Sequence, residues 1–246
     1  MISNIEIIYG LANRCLNYGI KNTISSANLN SLDQIFKICD GVDGAEKYLW
    51  DKNDLRILKK HIGKSNFTKI DITSYSLEEI VKIIQIHSNK DSISYLRGIY
   101  IHNEVNSETI DLYNKYRFHL KSRFDIKLGF SVYKQNEIDL ITTNNLETDI
   151  IQMPRNFNVE IDLSELNKTN CEIYLRSIFL QGIYFTDIKN KFNHNTISNI
   201  NNQKNFLISI ANQYKFELGQ YLFSEAITYC LAKNFKGIII GSSSLK

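Results

Sequence analysis

The chain has 246 residues, a length that fits one large domain or two small ones. Its 43% hydrophobic and 22% charged residues exclude a disordered or fibrous protein. The net charge of +3, from 29 Lys and Arg against 26 Asp and Glu, is too weak and too mixed to indicate a nucleic-acid partner. The four cysteines are widely spaced, so the sequence predicts neither a zinc site nor a disulfide framework.

Residues 1–10 lack the basic stretch with which a secretory signal peptide begins. No apolar run approaches the roughly 18 residues that a membrane-spanning helix requires. We therefore expect a cytoplasmic protein that has no membrane partner.

Short apolar runs alternate with longer helical patterns along the chain. Strands are predicted over residues 5–11, 67–70, 98–102, 126–131, 149–153, 172–180 and 237–240. Several of these runs are apolar without alternation, which is typical of parallel strands buried on both faces. Helices are predicted over residues 31–38, 77–86, 107–116, 205–214 and 224–232. The segment 185–203 is rich in Asn and Lys, and we expect it to be a long loop.

Seven or eight strand–helix units in a chain of this length predict a single α/β domain over residues 1–246, built as a (β/α)8 TIM-type barrel. In such barrels the chemistry lies at the carboxyl ends of the strands. Polar residues follow the predicted strands there, among them Lys69, His102, Ser131, Gln152 and Arg176.

Seven segments carry motifs at these positions. They are GLANRCLNYGI at 10–20, FTK at 67–69, IYIHN at 99–103, LGFSVY at 128–133, DIIQMPRN at 149–156, RSIFLQG at 176–182 and GIIIGSSS at 237–244. In this order they resemble the aldo/keto reductases, in particular a bacterial branch found beside surface-polysaccharide genes. The resemblance extends over nearly the whole chain.

The resemblance implies reduction of a carbonyl group on a small polar substrate, with a sugar as one suggestion. The hydride would come from NADPH, or alternatively from NADH, so the implied cofactor is NADP or alternatively NAD. That chemistry uses a tyrosine to donate a proton, a lysine that lowers the tyrosine pKa, an aspartate that pairs with the lysine, and a histidine that orients the carbonyl. Lys69 and His102 match the lysine and the histidine.

The resemblance also implies a set of cofactor contacts. Ser131 and Gln152 stand where the nicotinamide carboxamide is held. Arg176 replaces an aromatic residue that stacks on the nicotinamide ring, and it suits either stacking or pairing with an acidic substrate. The remaining expected contacts are Ser177, Gly241, Ser242, Ser243 and Ser244.

The sequence also departs from the family pattern. The aspartate and tyrosine belong to a DTAxxYGxSE segment at the second strand, and residues 44–46 resemble its end. About ten residues holding that strand and the tyrosine are therefore expected to be missing. Asp40, or alternatively Asp43, is expected to replace the aspartate. Tyr48, Tyr18 and Tyr133 are the nearest tyrosines, and Tyr48 is taken as the candidate although it is out of register in this alignment.

The chain ends at Lys246, where the family continues with a basic residue and a closing helix, so the barrel is expected to be incomplete there as well. Three functions remain open. The first is a carbonyl reductase. The second is a catalytically inactive barrel that binds a partner or self-associates through unpaired strand edges. The third is a lyase or isomerase in which Lys69 forms a Schiff base.

Overall fold

A computed structural model of the chain describes residues 5–12, 34, 37–45, 64–87, 96–156, 159, 161–166, 170–185 and 192–241. This part contains eight parallel strands that close into a barrel, each strand pairing with the next along the chain and the last with the first. The strands are β1 Glu6–Gly10, β2 Gly41–Asp43, β3 Ser65–Ile70, β4 Leu96–Ile101, β5 Lys127–Ser131, β6 Ile150–Pro154, β7 Glu172–Arg176 and β8 Gly237–Ile240. The predicted (β/α)8 barrel is therefore confirmed.

Helices follow most of these strands on the outside of the barrel. In the described part they are α1 Leu77–His87, α2 Ser107–Arg123, α3 Gln135–Thr143, α4 His194–Gln213 and α5 Leu218–Lys233, with a 3-10 segment at Leu180–Phe185. The side chains of Asn106 and Asn193 accept hydrogen bonds from the amides of the first turns of α2 and α4. These caps satisfy amide groups that have no partner inside the helix.

The expectation that strand two is missing was wrong. β2 has three residues, and Val42 pairs with Tyr9 of β1 and with Asn66 of β3. Val42 is the one aliphatic residue of β2, so no apolar run marks the strand in the sequence. The position of β2 is fixed by its pairing with β1 and β3.

Several other boundaries differ from the sequence predictions. The segment 185–203 is not one long loop, because α4 already begins at His194. Helix α3 was not predicted, and the strand expected over 172–180 ends at Arg176. The predicted helix 31–38 lies mostly outside the described residues, as do residues 242–246, where the incomplete end was expected.

The core has two layers, separated by the wall of the barrel. The inward-facing layer consists of Ile8, Phe67, Tyr100, Ile150, Tyr174 and Ile239. The alternate residues of the same strands point outward and pack with the helices, as Ile99, Leu128 and Ile151 do. Burial on both faces explains why these strands are apolar without alternation.

A charged network closes the amino-terminal end of the barrel. The Arg97 guanidinium donates to Glu6 at 2.7 Å and to Glu172 at 2.9 Å. Glu6 also accepts from the Tyr174 hydroxyl at 2.8 Å and pairs with Lys236 at 2.9 Å. Burial alone would raise the pKa of Glu6, but these hydrogen bonds outweigh it and hold that pKa below its ordinary value of 4.5.

The variant Glu6→Gln should therefore lower the free energy of unfolding at neutral pH by about 1–3 kcal/mol, the effect of losing charge-assisted hydrogen bonds at a partly buried site. Because the Glu6 pKa is depressed in the folded state, its contribution is present above pH 4.5 and is lost as the pH falls through the folded pKa. Urea unfolding of both proteins across pH 2–7 measures this difference, which should shrink in acid.

Glu147→Gln is the matched control, because Glu147 pairs with Arg117 but its side chain is 76% exposed. We expect that variant to change stability by less than about 1 kcal/mol at any pH. Equal effects of the two variants would contradict a special role for the network around Glu6.

Candidate active site

The carboxyl ends of the strands bring a ring of polar side chains together at one rim of the barrel. Inward-facing positions near these ends are occupied by Asp43, Lys69, Ser131, Gln152 and Arg176. His102 follows β4 directly, and its amide donates to the carbonyl of Ile70 at 2.9 Å. Because the strands are parallel, residues that are far apart in the sequence meet at this rim.

Lys69 and Asp43 form a buried ion pair at the rim. The Lys69 ammonium contacts one carboxylate oxygen of Asp43, and the two side chains are only 8% and 6% exposed. The ammonium also lies 6.0 Å from the ring centroid of Tyr100. Burial raises the pKa of Tyr100 well above 10, so its phenol is neutral and Asp43 is the anion that balances Lys69.

The structure places Asp40 away from this site. Asp40 precedes β2, at the amino-terminal end of the barrel, where its carboxylate accepts a hydrogen bond from the amide of Ile7 at 2.8 Å. The preference for Asp40 over Asp43 is therefore not supported by the geometry. The direction of β2 decides the matter, because only the residue at its carboxyl end reaches the rim.

With β2 ending at Asp43, the alignment of the next residues changes. Residues 43–48 read DGAEKY, which has the spacing of the DTAxxY part of the family segment, with Asp43, Ala45 and Tyr48 in the matching positions. When residues 44–46 are aligned with the end of that segment instead, Tyr48 no longer matches the position of the family tyrosine. Tyr48 itself lies outside the described residues, as do Ser242, Ser243 and Ser244, whereas Gly241 directly follows β8.

His102, Tyr133 and Arg176 form a second connected group at the rim. The His102 Nε2 atom and the Tyr133 hydroxyl are 3.2 Å apart. The Arg176 guanidinium lies over the Tyr133 ring at 4.0 Å from its centroid, within the range of a cation–π contact. Tyr133 therefore touches both residues. Sequence reasoning placed it at a strand end and among the candidates for the missing tyrosine, but did not predict these contacts.

Glu137 is a positioning residue that sequence reasoning missed. Its carboxylate is buried and accepts hydrogen bonds from the amides of Val105 at 3.1 Å, Tyr133 at 2.6 Å and Lys134 at 3.0 Å. It thereby joins the loops that follow β4 and β5. The available signal was its position in the first turn of α3, where an acid caps the helix.

Asn103 and Asp71 join the loops that follow β3 and β4. The Asn103 side chain donates to Asp71 at 2.6 Å and accepts from the amide of Ile72 at 2.7 Å. Partial burial would raise the pKa of Asp71, but hydrogen bonds from Asn103, Thr73 and Ser74 outweigh it and lower that pKa. The Asn103 side chain thus joins the loops that follow the strands of Lys69 and His102.

Ser131 and Gln152 are adjacent in the barrel wall and fully buried. The Ser131 hydroxyl donates to the Gln152 carbonyl oxygen at 3.1 Å, which leaves the Gln152 amide nitrogen without a hydrogen-bond partner among the described residues. A buried donor without a partner is destabilising unless a ligand satisfies it. The Ser177 hydroxyl accepts a hydrogen bond from the Arg176 guanidinium at 3.3 Å.

Among the described residues, no group of three or more His, Cys, Asp or Glu side chains is arranged to hold a metal ion. In that same part of the chain, every helix is too short or too polar to cross a membrane.

The Lys69–Asp43 pair generates a stability prediction. Lys69→Met leaves the Asp43 carboxylate buried without its cation and should lower the free energy of unfolding by about 3–5 kcal/mol. Adding Asp43→Asn removes the unpaired buried carboxylate charge. The double variant should therefore be more stable than Lys69→Met alone. A double-mutant cycle measured by chemical denaturation tests this, and additive effects of the two substitutions would contradict the ion pair.

The sequence matches no protein-family model and no curated protein sequence. The fold, however, is shared with solved structures. A glycerol dehydrogenase from Gluconobacter oxydans matches at 12% identity with a TM-score of 0.67, covering 97% of this chain and 82% of that one. The holo form of an aldo-keto reductase from Bacillus halodurans matches at 16% identity with a TM-score of 0.65, covering 98% and 83%.

An aldo-keto reductase of the silkworm Bombyx mori, solved in complex with NADP, matches at 14% identity with a TM-score of 0.62, covering 97% of this chain and 80% of that one. At such low identities the likeness concerns the backbone alone. The chain therefore has the (β/α)8 barrel fold of the aldo/keto reductases.

Proposed function

We propose that this chain is an NADPH-dependent reductase of carbonyl groups on small polar compounds, with NADH as the alternative cofactor. The observation that carries the proposal is the buried Lys69–Asp43 pair beside His102, with Tyr48 at the matching spacing after Asp43. In the reaction, a hydride from the reduced nicotinamide joins the carbonyl carbon and a proton from the protein joins its oxygen. The products are an alcohol and the oxidised cofactor.

Tyr48 is the proposed proton donor. A free tyrosine has a pKa near 10, so it needs a nearby cation that stabilises its phenolate. Lys69 supplies that cation, and Asp43 holds the ammonium in place at a site from which water is largely excluded. A charge acts more strongly in such surroundings than it does in bulk water.

His102 is the proposed orienting residue. It is only partly buried, and its Nε2 atom is directed toward the Tyr133 hydroxyl at 3.2 Å. A substrate carbonyl that reaches this nitrogen is fixed by a hydrogen bond next to the Lys69–Asp43 pair. Positioning of this kind contributes to the rate in addition to proton transfer.

The buried polar groups of the barrel wall fit a nicotinamide carboxamide. The Gln152 amide nitrogen has no hydrogen-bond partner in the described part of the chain, and the Ser131 hydroxyl fixes the orientation of that amide. Both residues would hold the carboxamide, and the bound cofactor would supply the hydride. Ser177 and Gly241 to Ser244 are the remaining proposed cofactor contacts, carried over from the sequence resemblance. For Arg176 the resemblance leaves open whether the residue stacks on the nicotinamide or pairs with an acidic substrate. A sugar substrate and a role in polysaccharide synthesis depend on that resemblance alone.

The other two functions have less support. The inactive-barrel interpretation depended on a shortened second strand, a missing half of the catalytic group and a missing closing helix. The barrel is nevertheless closed, and Tyr48 has the expected spacing. Closure also removes the unpaired edges that suggested self-association. The Schiff-base interpretation requires a neutral amine, whereas Lys69 is held in an ion pair with a buried carboxylate.

The test follows NADPH consumption with a panel of soluble aldehydes that includes 4-formylbenzamide and glyceraldehyde. Tyr48→Phe should lower kcat/KM by about 10²–10⁴-fold, the usual contribution of a general acid, while leaving the Kd for NADPH within about twofold. Isothermal titration calorimetry measures that Kd.

Tyr214→Phe is the matched control and should retain full activity, because Tyr214 caps the carboxyl end of α4 and is 65% exposed. Failure of the protein to bind either nicotinamide cofactor at millimolar concentration would overturn the proposed function. Unchanged activity of Tyr48→Phe would overturn the assignment of the proton donor.

A further inference from the structure

Arg176 is a cation at the rim of the barrel with no carboxylate partner among the described residues. Its terminal nitrogens donate to the carbonyl oxygen of Val132 at 2.9 Å and to the Ser177 hydroxyl at 3.3 Å, and both acceptors are neutral. By contrast, Arg97 and Arg155 each pair with glutamates. A half-buried guanidinium without a counter-ion is destabilising unless an anion reaches it.

The charge of Arg176 is not balanced by a contacting carboxylate in the described part of the chain. The charge of Lys69, in contrast, is balanced by Asp43, which is buried with it. The residues that contact the Arg176 guanidinium are Tyr133, Val132 and Ser177, none of which is an acid. A charge at a concave, partly dry site attracts anions more strongly than the same charge on an open surface.

The geometry of the guanidinium is fixed before any ligand arrives. One of its faces rests on the Tyr133 ring at 4.0 Å from the centroid. The Tyr133 backbone is in turn held by the buried Glu137 carboxylate at 2.6 Å. Of the five N–H groups of a guanidinium, the contacts to Val132 and Ser177 use two and the enclosed Nε–H has no partner. One N–H on each terminal nitrogen remains, which suits two-point binding of an acidic group.

We propose that Arg176 binds an acidic group on the substrate, so that the compound reduced at this site carries a carboxylate or phosphate as well as its carbonyl. This rests on the proposed function for the carbonyl, whereas the anion site itself does not. Tyr133 connects the two parts, because its ring carries Arg176 and its hydroxyl contacts His102. If Arg176 contacts the cofactor instead of the substrate, the experiment below shows it as a loss of NADPH binding.

The first arm measures binding without turnover. Benzoate and benzamide have nearly the same shape and differ in charge, and phenyl phosphate supplies the second kind of anion. By calorimetry, with and without NADP present, the better of the two anions should bind at least about tenfold more tightly than benzamide, the effect of a charge-assisted hydrogen-bond pair. Arg176→Gln should remove that preference, and Arg176→Lys should restore part of it, because lysine keeps the charge without the planar fork.

The second arm measures turnover of 4-carboxybenzaldehyde against 4-formylbenzamide. Arg176→Gln should raise KM for the acid at least about tenfold, and leave KM for the amide and the Kd for NADPH within about twofold. Arg155→Gln is the matched control. Arg155 also stacks on a tyrosine, Tyr229, at 4.3 Å, but it pairs with Glu225 of α5 on the outside of the barrel.

The outcomes separate the two proposals. If no aldehyde is reduced but anion binding depends on Arg176, the reductase function fails and the anion site stands. If both aldehydes are reduced equally well and Arg176→Gln affects neither, the anion site is overturned and the reductase stands. Loss of NADPH binding in both Arg176 variants would assign the residue to the cofactor and would also overturn the anion site.

Discussion

Closure of the barrel through the short strand β2 is the constraint on which the candidate site depends. Gly41 begins that strand, and a Cβ atom there would lie only 1.6 Å from the carbonyl oxygen of Ser65, so only glycine permits this close approach to β3. Beyond the strand, the Gly44 amide donates to Phe67 at 3.0 Å, and Gly44 accepts from the Lys69 amide at 3.1 Å. These contacts set Asp43 beside Lys69, so the same pairing that closes the barrel also assembles the buried ion pair.

The two ends of the barrel differ in how their polar side chains are paired. At the amino-terminal end, Arg97, Glu6 and Glu172 satisfy one another in a network typical of a stability role. At the carboxyl end, a carboxylate oxygen of Asp43 and the amide nitrogen of Gln152 are buried without partners among the described residues. Because native proteins leave few buried polar groups unsatisfied, these two groups beside the Lys69 and Ser131 side chains indicate where a ligand can complete the structure.

Strands that carry a local apolar pattern could be predicted from the sequence. Features that depend on contacts between distant segments could not. Seven strands carried apolar runs, and Lys69 and His102, which lie near the ends of two of them, were identified because the motifs there resemble those of the family. β2 offered only Val42 as an aliphatic residue, so the choice between Asp40 and Asp43 needed the strand's direction and its neighbours. The contacts of Tyr133 join three separate strand ends. The spacing of these residues along the chain does not predict the contacts.

In the proposed reaction, Tyr133 couples two steps. One is binding of the substrate's acidic group, and the other is placement of its carbonyl group. Val132 and Tyr133, the two residues that follow β5, supply a carbonyl acceptor and a ring face to Arg176, while the Tyr133 hydroxyl contacts His102. A carbonyl that binds His102 must take over or share the hydrogen bond that Tyr133 now makes. An acidic group held by Arg176 contributes binding energy away from the reacting carbon, and such energy raises the rate when it is used to position the reacting group. The loop after β5 joins the two contacts, so a substrate carrying both groups gains from both at once.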